Sequence, residues 1–119
     1  MSSPLVLVVD DHAGFRRIAR RILEGGGFLV AEAATGREAV AAARTLSPNV
    51  ILLDVQLPDS DGFSVTEALL TAGDAPPIVL TSTREAEDFG DRITASGAVG
   101  FLPKATLTAA SLHGLMSRR

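Results

Sequence analysis

The 119-residue chain has no cysteine, no tryptophan and no tyrosine. Without cysteine there is no disulfide framework, no thiolate zinc site and no thiol nucleophile. No apolar run approaches the length of about 18 residues that a membrane-spanning helix needs. Neither sign of charge dominates. Lys and Arg number 11 against 14 Asp and Glu, for a net charge of −3, so no non-specific electrostatic grip on nucleic acid is expected. The opening Met1-Ser2-Ser3-Pro4 carries neither the basic region nor the apolar stretch of a secretory signal. A cytoplasmic address is the expectation, with no membrane partner.

What is present is an ordinary globular composition, 46% apolar and 21% charged. One domain over residues 1–119 is the natural reading of that length. Five short apolar runs recur along it: Leu5 to Val9, Phe28 to Ala31, Val50 to Leu53, Ile78 to Thr81, and Ala98 to Leu102. Runs of Val, Ile and Leu without polar alternation suit parallel strands covered on both faces.

The segments between them read as helices. Phe15, Ile18, Ala19, Ile22 and Leu23 form one apolar stripe, with Arg16, Arg17, Arg20 and Arg21 on the outer face. The Gly25-Gly26-Gly27 run ends that helix. Thr35 and Glu38 make a capping box for a second, with Ala39, Ala42, Ala43 and Leu46 inward. Val65, Ala68, Leu69 and Ala72 mark a third. A fourth, over Arg84 to Ser96, has only Ala86, Phe89 and Ile93 as its stripe, and a fifth carries Leu112, Leu115 and Met116. Strands alternating with helices predict an α/β fold. It would be a flavodoxin-like doubly wound sheet of five parallel strands in order 2-1-3-4-5, flanked by five helices. Pro103 fits an edge position for the fifth strand.

In such sheets the crevice lies beyond the carboxyl ends of the strands where their order reverses. Here that is between strands one and three, which end in Asp10-Asp11 and Asp54. Singly, Asp10 or Asp11 could cap the first helix, and Asp54 could be a turn residue. Together, carboxylates about 4 Å apart repel by roughly 4 kcal/mol at an effective dielectric of about 20, so they call for a cation or raised pKa values. Oxygen-only ligation points to Mg²⁺ or Mn²⁺. His12 beside the acids could join them as a ligand or remain a solvated first-turn residue, and His113 is expected at the surface. Strand four ends in Thr81-Ser82-Thr83 and strand five in Pro103-Lys104. A carboxylate, a hydroxyl, an ammonium and a divalent cation are the parts of phosphoryl transfer. Ser82 also opens a capping box with Glu85, so it could simply start the fourth helix.

Over essentially its whole length the chain resembles receiver domains of two-component response regulators. The resemblance rests on Val8-Val9-Asp10-Asp11, Leu53-Asp54 through Asp61-Gly62, Pro77 to Ser82, and Gly97 to Lys104. It implies that Asp54 is the phosphoacceptor. Asp11 would bind the metal directly, Asp10 would help through water, and Gln56 would offer its backbone carbonyl. Lys104 would pair with the phosphoryl group. Ser82, 22 residues before Lys104, matches the family's switch hydroxyl, with Thr81 as the runner-up. Phe101 matches the aromatic switch position. The implied cofactor is Mg²⁺, and the implied partner is a sensor histidine kinase or a histidine phosphotransfer protein. Switching would act on the surface of helix 4, strand 5 and helix 5, leaving room for a phosphorylation-dependent homodimer. Such a domain is not an enzyme beyond its own phosphorylation and dephosphorylation. The sequence departs from the family in Ala105 after the Lys, Thr83 after the hydroxyl, and Phe rather than Tyr at 101.

Three other readings compete. A small aspartate-nucleophile phosphatase would want Asp-x-Asp after strand one, which Asp10-Asp11-His12 does not supply. A flavin carrier would want a phosphate loop there and Trp or Tyr to stack on the ring. A degenerate receiver acting only as a docking module would lack site residues that this chain has.

Overall fold

The computed structural model describes residues 3–118. β1 (Leu5–Val9) leads to α1 (Ala13–Gly25), β2 (Leu29–Ala33), α2 (Gly36–Leu46) and β3 (Val50–Asp54). Then follow α3 (Gly62–Ala72), β4 (Ile78–Ser82), α4 (Arg92–Ala95), β5 (Gly100–Pro103) and α5 (Ala109–Met116). Short 3₁₀ turns cover Ala86–Phe89 and Lys104–Thr106. The strands form one parallel sheet in the order β2-β1-β3-β4-β5. This is the doubly wound fold that the alternation of runs predicts.

The pleat sends alternate residues to opposite faces. Val6, Val8, Val50, Leu52 and Val79 meet Ala19 and Leu23 of α1 and Leu112 of α5. Leu7, Val9, Ile51, Leu53, Ile78 and Leu80 meet Ala39 of α2 and Val65 and Leu69 of α3. All five residues of β3, and all five of β4, are buried. Each fully buried Leu, Ile or Val contributes about 1.5–3 kcal/mol, so the two central strands anchor the fold.

Polar side chains close the starts of α2, α3 and α5, whereas His12 at the start of α1 makes no side-chain cap. Thr35 accepts from the Glu38 N–H at 3.0 Å, Asp61 from the Ser64 N–H at 2.8 Å, and Thr108 from the Ser111 N–H at 3.0 Å. Glu38 reaches back to the Ala34 N–H rather than to Thr35, so the expected box is half formed.

The fourth helix differs most from expectation. In place of one helix over Arg84–Ser96 there is a 3₁₀ turn, then Gly90 at φ +58°, then four residues of α4. The thin apolar stripe gives a long helix little to bury. Glu85 and Asp88 instead cap the 3₁₀ turn reciprocally. Ser82 does not start a helix through Glu85; its Oγ accepts from the Arg84 N–H at 3.1 Å.

Two helices, α1 and α3, also sit rotated from their expected stripes, whereas α2 turns Ala39, Ala42 and Ala43 inward as expected and exposes only the last residue of its stripe. On α1, Ile18 is 58% exposed and Ile22 37%, whereas Arg16 and Arg20 lie toward the sheet edge and share Glu32 of β2. Leu46 of α2 and Ala68 and Ala72 of α3 are exposed, and Thr66 takes a buried place by donating to the Gly62 carbonyl. His113 is exposed, as expected, and its ring stacks on Phe28 at 4.3 Å.

Candidate functional site

β1 and β3 are neighbours, but the helices that follow them cover opposite faces of the sheet. Their carboxyl ends therefore open into an uncovered crevice. Asp10 continues β1 and is fully buried, and Asp54 closes β3 and is 4% exposed. Asp11 stands at the rim with its side chain 37% exposed. Gly62 keeps the far wall close. A Cβ there would lie 2.6 Å from the Asp54 carbonyl oxygen and 2.9 Å from Val55 Cα, so no side chain fits.

Lys104 arrives from the end of β5. Its Nζ lies 3.0 Å from Asp54 Oδ2 and 2.5 Å from Asp10 Oδ2, with the side chain 11% exposed. The Phe15 ring of α1 sits 4.5 Å from the same ammonium, a cation–π contact that fixes the side chain from the other side. One ammonium thus serves two buried carboxylates. Asp10 Oδ2 makes no well-formed hydrogen bond despite that contact. Asp10 Oδ1 accepts from the His12 N–H at 2.8 Å. Asp54 Oδ1 accepts from the Gln56 N–H at 3.1 Å.

The electrostatics follow from this crowding. Burial, and next the neighbouring Asp10, push the Asp54 carboxyl up to about 6. Burial pushes Asp10 up too, but Lys104 and the His12 N–H outweigh it and hold its carboxyl below the ordinary range. Lys104 loses solvation by burial, yet the two carboxylates raise its pKa above the ordinary lysine value. The pair retains one proton to unusually high pH while the ammonium stays charged.

One ligand atom each from Asp10, Asp11, His12 and Asp54 lies within 4.8 Å of the others. Three carboxylates against one ammonium leave an excess of negative charge. An oxygen-rich donor set of this size, with one buried carboxylate oxygen lacking a well-formed hydrogen bond, fits a hard divalent cation.

The two candidate hydroxyls separate clearly. Thr81 Oγ1 donates to the Leu102 carbonyl at 2.5 Å and is committed to β5. Ser82, 4% exposed, accepts from Arg84 and keeps its own proton free to donate. Ser82 follows the parity of Leu80, whose layer also holds Phe101. Phe101 lies 5.7 Å from the Phe89 ring, Phe89 lies 5.9 Å from Phe63, and Arg92 caps Phe63 at 4.2 Å.

Of the residues expected at the site, Asp10, Asp11, Asp54 and Lys104 converge, and the Gln56 N–H bonds to Asp54. Ser82 ends the adjacent strand, and Phe101 belongs to an aromatic chain that runs to α3. Sequence reasoning missed Phe15, read only as core. Nothing local in the sequence ties it to Lys104; only the β2-β1-β3-β4-β5 order does.

The model of the response regulator receiver domain matches residues 6–115. The chain belongs to the response regulator receiver domain family. It is 36% identical over 124 residues to the transcriptional regulatory protein PrrA of Mycobacterium tuberculosis, covering all of this chain and 52% of that protein. It is 37% identical over 102 residues to a protein-glutamate methylesterase/protein-glutamine glutaminase of Idiomarina loihiensis, covering 83% of this chain and 26% of that one. The chain thus spans about half, or less, of these relatives. Among solved structures, the receiver domain of the putative response regulator NarL of Mycobacterium tuberculosis superposes with TM-score 0.91 at 27% identity, each chain covered completely. Chemotaxis response regulator CheY4 of Vibrio cholerae gives TM-score 0.82 at 30% identity, with 98% of each chain covered.

Proposed function

We propose that this receiver takes a phosphoryl group onto Asp54 from a phosphohistidine of a sensor histidine kinase or a histidine phosphotransfer protein. The observation that carries the reading is the placement of Asp54. It is a buried strand-end carboxylate with Lys104 Nζ 3.0 Å from one oxygen and two further acids beside it. A carboxylate oxygen of Asp54 forms the new O–P bond as the N–P bond of the donor breaks. The electron pair returns to the donor imidazole, which takes up a proton. Lys104 offsets charge on the phosphoryl oxygens and keeps Asp10 neutralised as the charge of Asp54 moves outward. Asp11, Asp10, an oxygen of Asp54 and the Gln56 backbone carbonyl would hold Mg²⁺, with Mn²⁺ as a substitute. When bound, that cation supplies further positive charge to the equatorial oxygens.

Ser82 then donates its free proton to a phosphoryl oxygen, and Phe101 shifts toward the space that opens. This biases the surface of α4, β5 and α5 between two states by differential contact. The exposed pair Ile18 and Ile22, at 58% and 37% exposure and flanked by Arg17 and Arg21, offers a donor a docking face on α1.

Incubation with acetyl phosphate and Mg²⁺ tests the chemistry. Intact mass should show one added phosphate on wild type and none on Asp54→Ala. Equal uptake by both proteins would remove Asp54 from its role.

A further inference from the structure

Asp59 lies five residues beyond Asp54, at the outer tip of the β3–α3 loop. Its Oδ1 accepts from the Gly36 N–H at 2.8 Å and its Oδ2 from the Arg37 N–H at 3.0 Å. Both carboxylate oxygens are thus bound to the first two free N–H groups of α2, where the helix dipole also favours a negative charge. Thr35, the residue expected to cap this helix, satisfies only the Glu38 N–H. The Gly36 and Arg37 N–H groups hold the Asp59 carboxyl below the ordinary range. Gly36 permits the approach. A Cβ there would sit 3.3 Å from Asp59 Oδ1 and 2.9 Å from Val65 Cγ2.

The rest of the loop is tied mainly to itself. The Leu57 N–H donates to the Ser60 carbonyl at 3.2 Å, Gln56 pairs with Asp61, and the Gly62 N–H donates to the Val55 carbonyl at 2.7 Å. Among the described residues, the hydrogen bonds that the Gly36 and Arg37 N–H groups of α2 donate to Asp59 are the only ones joining residues 57–60 to another element. Besides the packing of half-buried Leu57 against the core, the loop that begins at the acceptor and carries Gln56 is therefore tied to the rest of the fold at its tip by one side chain.

We propose that Asp59 is a positioning residue. By clamping the β3–α3 loop to the amino end of α2, it fixes where the Gln56 carbonyl faces and so sets the affinity of the acidic crevice for Mg²⁺. This rests on the receiver reading above. It also makes α2 part of the acceptor loop's support.

The experiment is a calorimetric Mg²⁺ titration of the metal-stripped full chain, alongside thermal unfolding in EDTA. Four proteins are compared: wild type, Asp59→Ala, Asp59→Asn and Thr35→Ala. Losing the support of one ligand should weaken Mg²⁺ about 10-fold in Asp59→Ala. Asp59→Asn, which keeps one accepting oxygen, should fall between that variant and wild type. Thr35→Ala removes a cap from the same helix without touching the loop, so it should lower the melting temperature and leave Mg²⁺ affinity at the wild-type value. Saturable binding by wild type with both Asp59 variants within two-fold of it would overturn the clamp alone, as would equal weakening in Thr35→Ala. No Mg²⁺ binding by wild type would overturn the receiver reading and the clamp together.

Discussion

Asp54 carries a raised carboxyl pKa because it is buried beside Asp10, and this has a cost in stability. In the unfolded chain it titrates near the ordinary 3.8, and in the native state at about 6. Between those values the native state holds a proton that the unfolded state has released. Stability therefore falls as pH rises through that window and stays lower above it. A shift of this size corresponds to on the order of 2–3 kcal/mol. Asp54→Asn does not titrate there. In EDTA it should be more stable than wild type at pH 7.5, with the gap closing toward pH 4. Denaturant unfolding across that range checks this, and a gap independent of pH would contradict it. Lys104 makes the complementary prediction. Removing the shared ammonium leaves two buried acids without a counter-charge, a class of change that costs about 3–5 kcal/mol. A bound cation can replace that charge. Saturating Mg²⁺ should therefore raise the melting temperature of Lys104→Ala by more than that of wild type. A smaller rise would show that the ammonium and the cation do not share the same acids.

At the scale of elements, the segment after β4 is the loosest part of the sheet's cover. It consists of a four-residue 3₁₀ turn, Gly90 in a positive-φ conformation and four residues of α4, none of them buried. Its anchor is Phe89, held between Phe63 of α3 and Phe101 of β5. Amide hydrogen exchange should be faster over 86–96 than in α3. In Phe89→Ala it should quicken further in this segment while the exchange of β3 is unchanged. Uniform acceleration across the fold would instead mean that Phe89 supports the global core. The same segment shows where sequence reasoning weakens. Ala86, Phe89 and Ile93 are spaced as a helical stripe, but three apolar residues do not offset the ordering of a thirteen-residue helix, and local capping by Glu85 and Asp88 prevails. On α1 the periodicity is right and its phase is not. Arg16 and Arg20 read as solvent-facing because they are charged. Their partner, Glu32, lies on an edge strand whose position is a property of the sheet, and pairing with it turns Ile18 and Ile22 outward.

At the scale of the whole molecule, the order β2-β1-β3-β4-β5 brings the acids together. The doubly wound class was legible because apolar runs alternate with helical patterns, and 2-1-3-4-5 is the order that five such units usually take. Given the order, the convergence of Asp10, Asp54 and Lys104 follows from their places at strand ends. The contacts that refine the site were not legible. Phe15 against Lys104 and Asp59 against Gly36 join distant stretches through tertiary placement alone, and Phe15 had an ordinary explanation as a core aromatic. The central claim is that one carboxylate oxygen in this crevice, on Asp54, becomes phosphorylated to an acyl phosphate. Borohydride reduction of the acetyl-phosphate-treated protein converts an aspartyl phosphate to homoserine, which peptide mass spectrometry locates. The account predicts homoserine at position 54 and at no other aspartate; reduction at another acid, with position 54 untouched, would contradict it.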